Sequence, residues 1–140
     1  MTSINAKQWL ERGRSIAADL DKLYVYRQTL IENAERVTRS YGADVVTFSR
    51  DPHKFDKLAE CDETINNLTV ELLNVQTEIM HVIFRIQDSS CHVLLIARYI
   101  NCETWAQVSV DMGIAEGYVY RLHKKALNEV ELILSGQNVG

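Results

Sequence analysis

The sequence predicts an all-α protein, with a long antiparallel, coiled-coil-like helical hairpin over residues 1–87 and a three-helix unit over residues 88–140. Three observations carry that expectation. Apolar or small residues recur in alternating steps of three and four through the first part, the 3.5-residue repeat of a helical seam. The 140 residues include one proline and six glycines, which permits long uninterrupted elements. In TWAQVSVDMGIAEGYVYRL (104–122), a single glycine separates two short apolar-patterned runs with no loop after it.

The first helix is expected from Ala6 to Ser40. Asn5 with Gln8 resembles a capping box, in which a side chain satisfies the free N–H groups of the first turn. Its seam reads Ile16, Leu20, Leu23, Leu30, Ala34, Val37 and Tyr41. Arg27 takes a seat the pattern would give to an apolar residue. It either fixes register or partner choice, as buried polar seam residues can, or snorkels to the edge. Gly42 breaks the helix, and GADVVTFSR (42–50) reads as a loop whose Val45, Val46 and Phe48 should tuck against something.

Asp51-Pro52 supplies a cap and a first-turn proline for the second helix, expected to run to about Gln87. Its seam is Leu58, Cys61, Ile65, Leu68, Leu72, Val75, Ile79, Val82 and Ile86. A connection of about ten residues reverses direction easily but does not span a rod lengthwise, hence the hairpin. Each rod of about 33 residues should be roughly 50 Å long. Tyr24, Val25, Tyr26, Ile83 and Phe84 sit partly off the seams. That surplus apolar surface predicts a homodimer contact or a seat for the C-terminal helices.

Asp88-Ser-Ser is a natural cap for a third helix, expected over His92–Ile100 with Val93, Leu94, Ile96, Ala97 and Ile100 as its buried side. Thr104 with Gln107 forms a second capping box and starts a short fourth helix, Trp105 to Met112. A fifth helix should begin near Ala115 and end at Leu134, where Ser135-Gly136 stops it. The pair has the residue types of a helix-turn-helix. Val108 and Met112 would face Val119 and Leu122, Ser109 is the small residue at the crossing, and Gly113 supplies the left-handed turn before Ile114. The same pattern also suits a plain αα-corner in a bundle.

Composition narrows the function classes. Hydrophobic residues make up 46% and charged residues 24%, the balance of a folded chain. No run approaches the roughly 20 apolar residues of a membrane span, and the N-terminal MTSINAKQWLERGRS has no signal-peptide pattern, so the cytoplasm is the expected compartment. Cys61, Cys91 and Cys102 are an odd number at no framework spacing, so free thiols are expected. Cys91-His92, Cys102 and His123 lack the close ligand pairs of a zinc site. No Gly-rich phosphate loop, serine elbow or metal-ligand motif points to catalysis, so no cofactor, metal or catalytic residue is expected. Asp19, Asp21, Glu32 and Glu35 have the spacing of an exposed helix face, and His81 is expected at the surface or half-buried. Net charge is −4, with 13 acids and 11 bases in residues 1–87 and 6 acids and 4 bases in residues 88–140. With each part at −2, any nucleic-acid binding must come from a local patch.

VLLIARYINCETWAQVSVDMGIAEGYVYRLHKKAL (93–127) resembles region 4 of bacterial sigma factors, a module with a Thr-started helix and a recognition helix ending in Lys-Ala-Leu. The arrangement recurs in phage late-gene activators of the RinA and ArpU type, and in related uncharacterised phage and prophage proteins with a long helical N-terminal part. Asn-Ala-Lys near the start and TW…GY-VYRLHKKAL near the end are most similar to that last group. This resemblance implies a transcriptional regulator whose fifth helix meets the major groove of promoter DNA through Glu116, Gly117, Tyr118, Tyr120, Arg121 and Lys124. Glu116 would accept from a cytosine amino group and Arg121 would fork onto guanine. The tyrosines would contact phosphate or a thymine methyl. Lys124, Lys125 and His123 would grip backbone, with Arg98 and Thr104 as further phosphate contacts. Sigma factors tend to place arginine, glutamate and glutamine along this face, and the tyrosines depart from that.

The implied partners are double-stranded DNA and bacterial RNA polymerase, within a bacterial host. With Glu103, Asp111 and Glu116 in or beside the unit, one copy should bind weakly and with strong salt dependence, so two copies or help from polymerase are expected. The competing expectation is a protein-interaction module, such as an anti-sigma or polymerase-binding decoy, with no DNA binding of its own.

Overall fold

A computed structural model describes residues 5–41 and 55–136, with the backbone alone over 37–41. The described residues are all-α, in five helices: α1 (Ala6–Tyr41), α2 (Asp56–Ile83), α3 (Ser89–Leu95, continued by a π-helical turn Ile96–Ile100), α4 (Trp105–Met112) and α5 (Glu116–Leu134). The expected loop at Val45, Val46 and Phe48, the Gly42 break, the Asp51-Pro52 cap and the seam side chains of Val37 and Tyr41 lie outside the described residues.

Local chemistry sets most boundaries. Asn5 Oδ1 accepts from Gln8 N at 3.1 Å and starts α1, and Thr104 Oγ1 accepts from Gln107 N at 3.2 Å and starts α4. α2 stops at Ile83, short of the expected Gln87. Arg85 N and Ile86 N bond back only three residues, to Val82 O and Ile83 O. This tightened turn carries Ile86 inward to 2% exposure, and Asp88 then accepts from Ser90 N to begin α3.

The chain divides into two compact units, Met1–Ser15 with Leu72–Gly140, and Ile16–Glu71. In the second unit, Ile16, Leu20, Cys61 and Ile65 are buried and Leu23, Leu30, Ala34, Leu58 and Leu68 are half-buried along the expected seams. Arg27 reaches to the seam's edge and donates to Asp62 at 2.5 Å, so the guanidinium is paired there rather than sunk between the helices. Tyr24, Val25 and Tyr26 remain exposed.

In the first unit the core joins Leu10 of α1, Ile79 and Ile83 of α2, Leu94, Leu95 and Tyr99 of the third helix, Val108 of α4, and Val119 and Val130 of α5. Removing each such aliphatic side chain from water contributes about 1.5–3 kcal/mol. Of the surplus residues expected to form a dimer contact or a seat for the C-terminal helices, Ile83 is fully buried in this core, whereas Phe84 is exposed. Gly13 sits beside the π-helical turn: a Cβ built there would lie 3.6 Å from Tyr99 O and 3.7 Å from Ile79 Cδ1.

The buried side of the third helix differs from expectation. It consists of Cys91, Leu94, Leu95, Ala97 and Tyr99, while Val93 is exposed and Ile96 and Ile100 are only half-buried. In a regular α-helix Arg98 would fall near the line of Cys91 and Leu95. The π-helical turn widens the spiral, with Asn101 N bonding back five residues to Ile96 O, and Tyr99 comes into line instead.

Candidate nucleic-acid interface

The turn before α5 decides which side of that helix faces outward. Gly113 adopts φ 66 and ψ 33, the left-handed conformation that costs a side-chain-bearing residue free energy. Gly113 N then bonds to Val110 O at 3.1 Å and Ile114 N to Ser109 O at 3.2 Å, closing the end of α4. Ser109 Oγ donates to Ile114 O across the same turn. A Cβ on Gly113 would meet nothing within 4 Å, so the demand is for backbone conformation and not for space.

From that turn α5 seals one face and leaves the other bare. Val119, Leu122, His123, Ala126, Val130 and Ile133 are buried, chiefly against α3 and also against α4. Glu116, Gly117, Tyr118, Tyr120, Arg121, Lys124 and Lys125 are all exposed. Glu116 stands in the first turn, where a carboxylate is favoured by the helix dipole. The Arg121 guanidinium lies 5.7 Å from the Tyr118 ring centroid, and Tyr120 tilts against Trp105 at 5.8 Å. Thr104 is exposed, and its hydroxyl is engaged as the cap of α4.

Three expected backbone contacts have other duties. His123 does not face solvent: Tyr99 Oη lies 2.7 Å from its Nε2, and its ring meets Trp105 at 4.5 Å. Burial, then the nearby Lys7 and Arg98 charges, hold the imidazole down at about 4, so it is neutral at physiological pH. Arg98 is half-buried, lies 4.4 Å over the Trp105 ring and donates to Glu103 O at 2.9 Å, which makes it a brace between the third helix and α4. Lys125 is exposed but joined to Asp88 at 2.8 Å, so it ties α5 to the cap of α3. That ammonium and the Ser90 N–H hold the Asp88 carboxyl below its usual range.

The Tyr99–His123–Trp105 cluster was not anticipated from sequence. Its signal lay in the stripe itself, because His123 falls at buried spacing between Val119 and Ala126. On the side of α4, a hydrogen bond with Asp111 raises the Glu103 carboxyl, and Val110 is 78% exposed. Among the described residues, no group of three or more His, Cys, Asp or Glu side chains is placed to hold a metal ion, and no helix is long and apolar enough to cross a membrane. Cys61 and Cys91 are free thiols.

No curated protein and no solved structure matches the chain. Residues 51–131, more than half of its length, match the family model described as "Protein of unknown function (DUF1492)". With that coverage, running from ahead of α2 almost to the end of α5, the chain belongs to the DUF1492 family.

Proposed function

We propose that this chain is a non-enzymatic transcriptional regulator of phage or prophage type, which binds promoter DNA through α4 and α5 and acts as a homodimer in the cytoplasm of a bacterial host. The observation that supports it most is the division of α5 into a sealed side and a free side. Tyr118, Tyr120, Arg121 and Lys124 are exposed on a helix whose opposite face is locked into the core. A helix held in this way can enter a major groove without unpacking. The likeness of residues 93–127 to sigma region 4 supports the same reading. In the proposal α1 and α2 form the hairpin, and apolar side chains left outside the core, Leu73 and Met80 of α2 and Phe84 just past its end, meet a second copy.

The test is a fluorescence titration against phage late-promoter duplexes across a range of salt. Wild type should bind, more weakly as salt rises, and Arg121→Ala with Lys124→Ala should abolish binding. Binding that ignores salt, or no binding at any salt, would count against the reading.

A second reading has its own support. Val110 is 78% exposed and adjoins Asp111, which raises the Glu103 carboxyl, a surface that suits a protein partner better than a phosphate backbone. RNA polymerase would meet α4 there, either together with DNA on α5 or alone as the target of a decoy. Under the decoy reading the Arg121/Lys124 double variant captures its partner as well as wild type does.

A further inference from the structure

We infer that the duplex-binding surface continues from α5 onto the first turn of α1, where Lys7 and Lys124 hold one backbone phosphate between them. This rests on the DNA-binding reading of α5. A groove of about 270 Å³ runs between the two helices, lined by Asn5, Ala6 and Lys7 on one side and Lys124, Leu127, Asn128 and Glu131 on the other. One water occupies about 30 Å³, so the groove has room for a hydrated phosphodiester group.

Its two lysines are exposed, and neither forms an ion pair among the described residues. Lys125, by contrast, is already joined to Asp88. Lys7 lines this groove opposite Lys124, which places it on the α5 side of α1. Asn5 accepts from Gln8 N through Oδ1, leaving its amide nitrogen as a donor. Glu131 is the one acid of the lining and stands seven residues beyond Lys124, about 10 Å along the helix axis. Arg121 and Lys124 stand one turn apart on the exposed side of α5, and Lys7 faces Lys124 across the groove.

A contact of this kind positions a protein on the duplex and carries no sequence information. The test measures binding of the full chain to a mixed-sequence duplex as a function of salt, for wild type, Lys7→Ala, Lys7→Arg and a control, Lys22→Ala. Lys22 is 79% exposed on a different part of α1. Lys7→Ala should reduce the slope of log affinity against log salt by about 1, with a severalfold loss near physiological salt that is the same for every duplex. Lys7→Arg should retain the slope, and Lys22→Ala should leave it unchanged. Circular dichroism confirms that each variant is folded. Wild-type binding with an unchanged slope in Lys7→Ala would overturn this inference and leave the α5 reading standing. A wild type that binds no duplex would overturn both.

Discussion

Tyr99 Oη lies 2.7 Å from His123 Nε2, and the two side chains join the π-helical end of the third helix to the buried face of α5. Both groups are neutral at physiological pH, because burial disfavours the charged form of each. The tyrosine is pushed up to about 12 and the histidine down to about 4.

Acid should therefore loosen the C-terminal unit. The unfolded chain takes up a proton on His123 near pH 6.5 and the folded chain only near about 4, so the unfolded state binds more protons between those values. The stability this group contributes is complete above about 6.5 and is lost as pH falls toward 4, to a total of about 3 kcal/mol. Urea melts at pH 7, 5.5 and 4.5 should show a progressive fall in midpoint, and His123→Phe should flatten that dependence. A midpoint independent of pH in the wild type would contradict it.

Tyr99→Phe keeps the ring and removes the hydroxyl, leaving His123 Nε2 buried without its partner. A cost of about 1–3 kcal/mol is expected in equilibrium unfolding. Part of it should return when His123→Phe is added, because the orphaned ring nitrogen is then gone too. Strict additivity of the two losses would show that the hydrogen bond carries no coupling.

Two glycines should respond in opposite directions to the same change. Gly113→Ala forces a Cβ into the left-handed region and should destabilise by about 1–2 kcal/mol. At Gly13, in the middle of α1, an added Cβ would make ordinary contacts at 3.6 Å and beyond. Helix propensity then dominates, and Gly13→Ala should stabilise by about 0.5–1 kcal/mol. Thermal melts of the two variants check the signs.

Lys124 and Lys125 are adjacent and both exposed, yet they should not behave alike. Lys124→Ala should weaken duplex binding and reduce its salt slope, since that ammonium has no ion-pair partner among the described residues. Lys125→Ala should lower the melting temperature slightly through the lost Asp88 contact and change the salt slope less. Equal slopes for the two variants would sink the distinction.

Leu73 and Met80 of α2 and Phe84 just past its end lie in steps of seven and four, outside the buried line. If they meet a second copy, Leu73→Glu should convert a dimer to a monomer in sedimentation equilibrium. A wild type already monomeric at high concentration would remove the dimer from the proposal.

Much of this molecule is written locally. The all-α class follows from the three-and-four stepping of apolar residues. The starts of α1 and α4 follow from Asn5 with Gln8 and Thr104 with Gln107, because a cap is satisfied within one turn of its own helix. Gly113 was readable for the same reason, as a left-handed turn is a property of the residue that makes it. What sequence could not give depends on neighbours distant in the chain. Which side of the third helix is buried turned on a five-residue hydrogen-bond step at Ile96, and no 3.6-residue pattern anticipates it. The duties of His123, Arg98 and Lys125 were settled by Tyr99, Trp105 and Asp88, partners that meet them only when α3, α4 and α5 pack. Sequence alone determined the helices and the turn between the last two, since those rest on interactions a few residues apart. The tertiary structure alone decided which cations of that turn's surroundings stay free, because pairing and burial depend on contacts that exist only in the folded state.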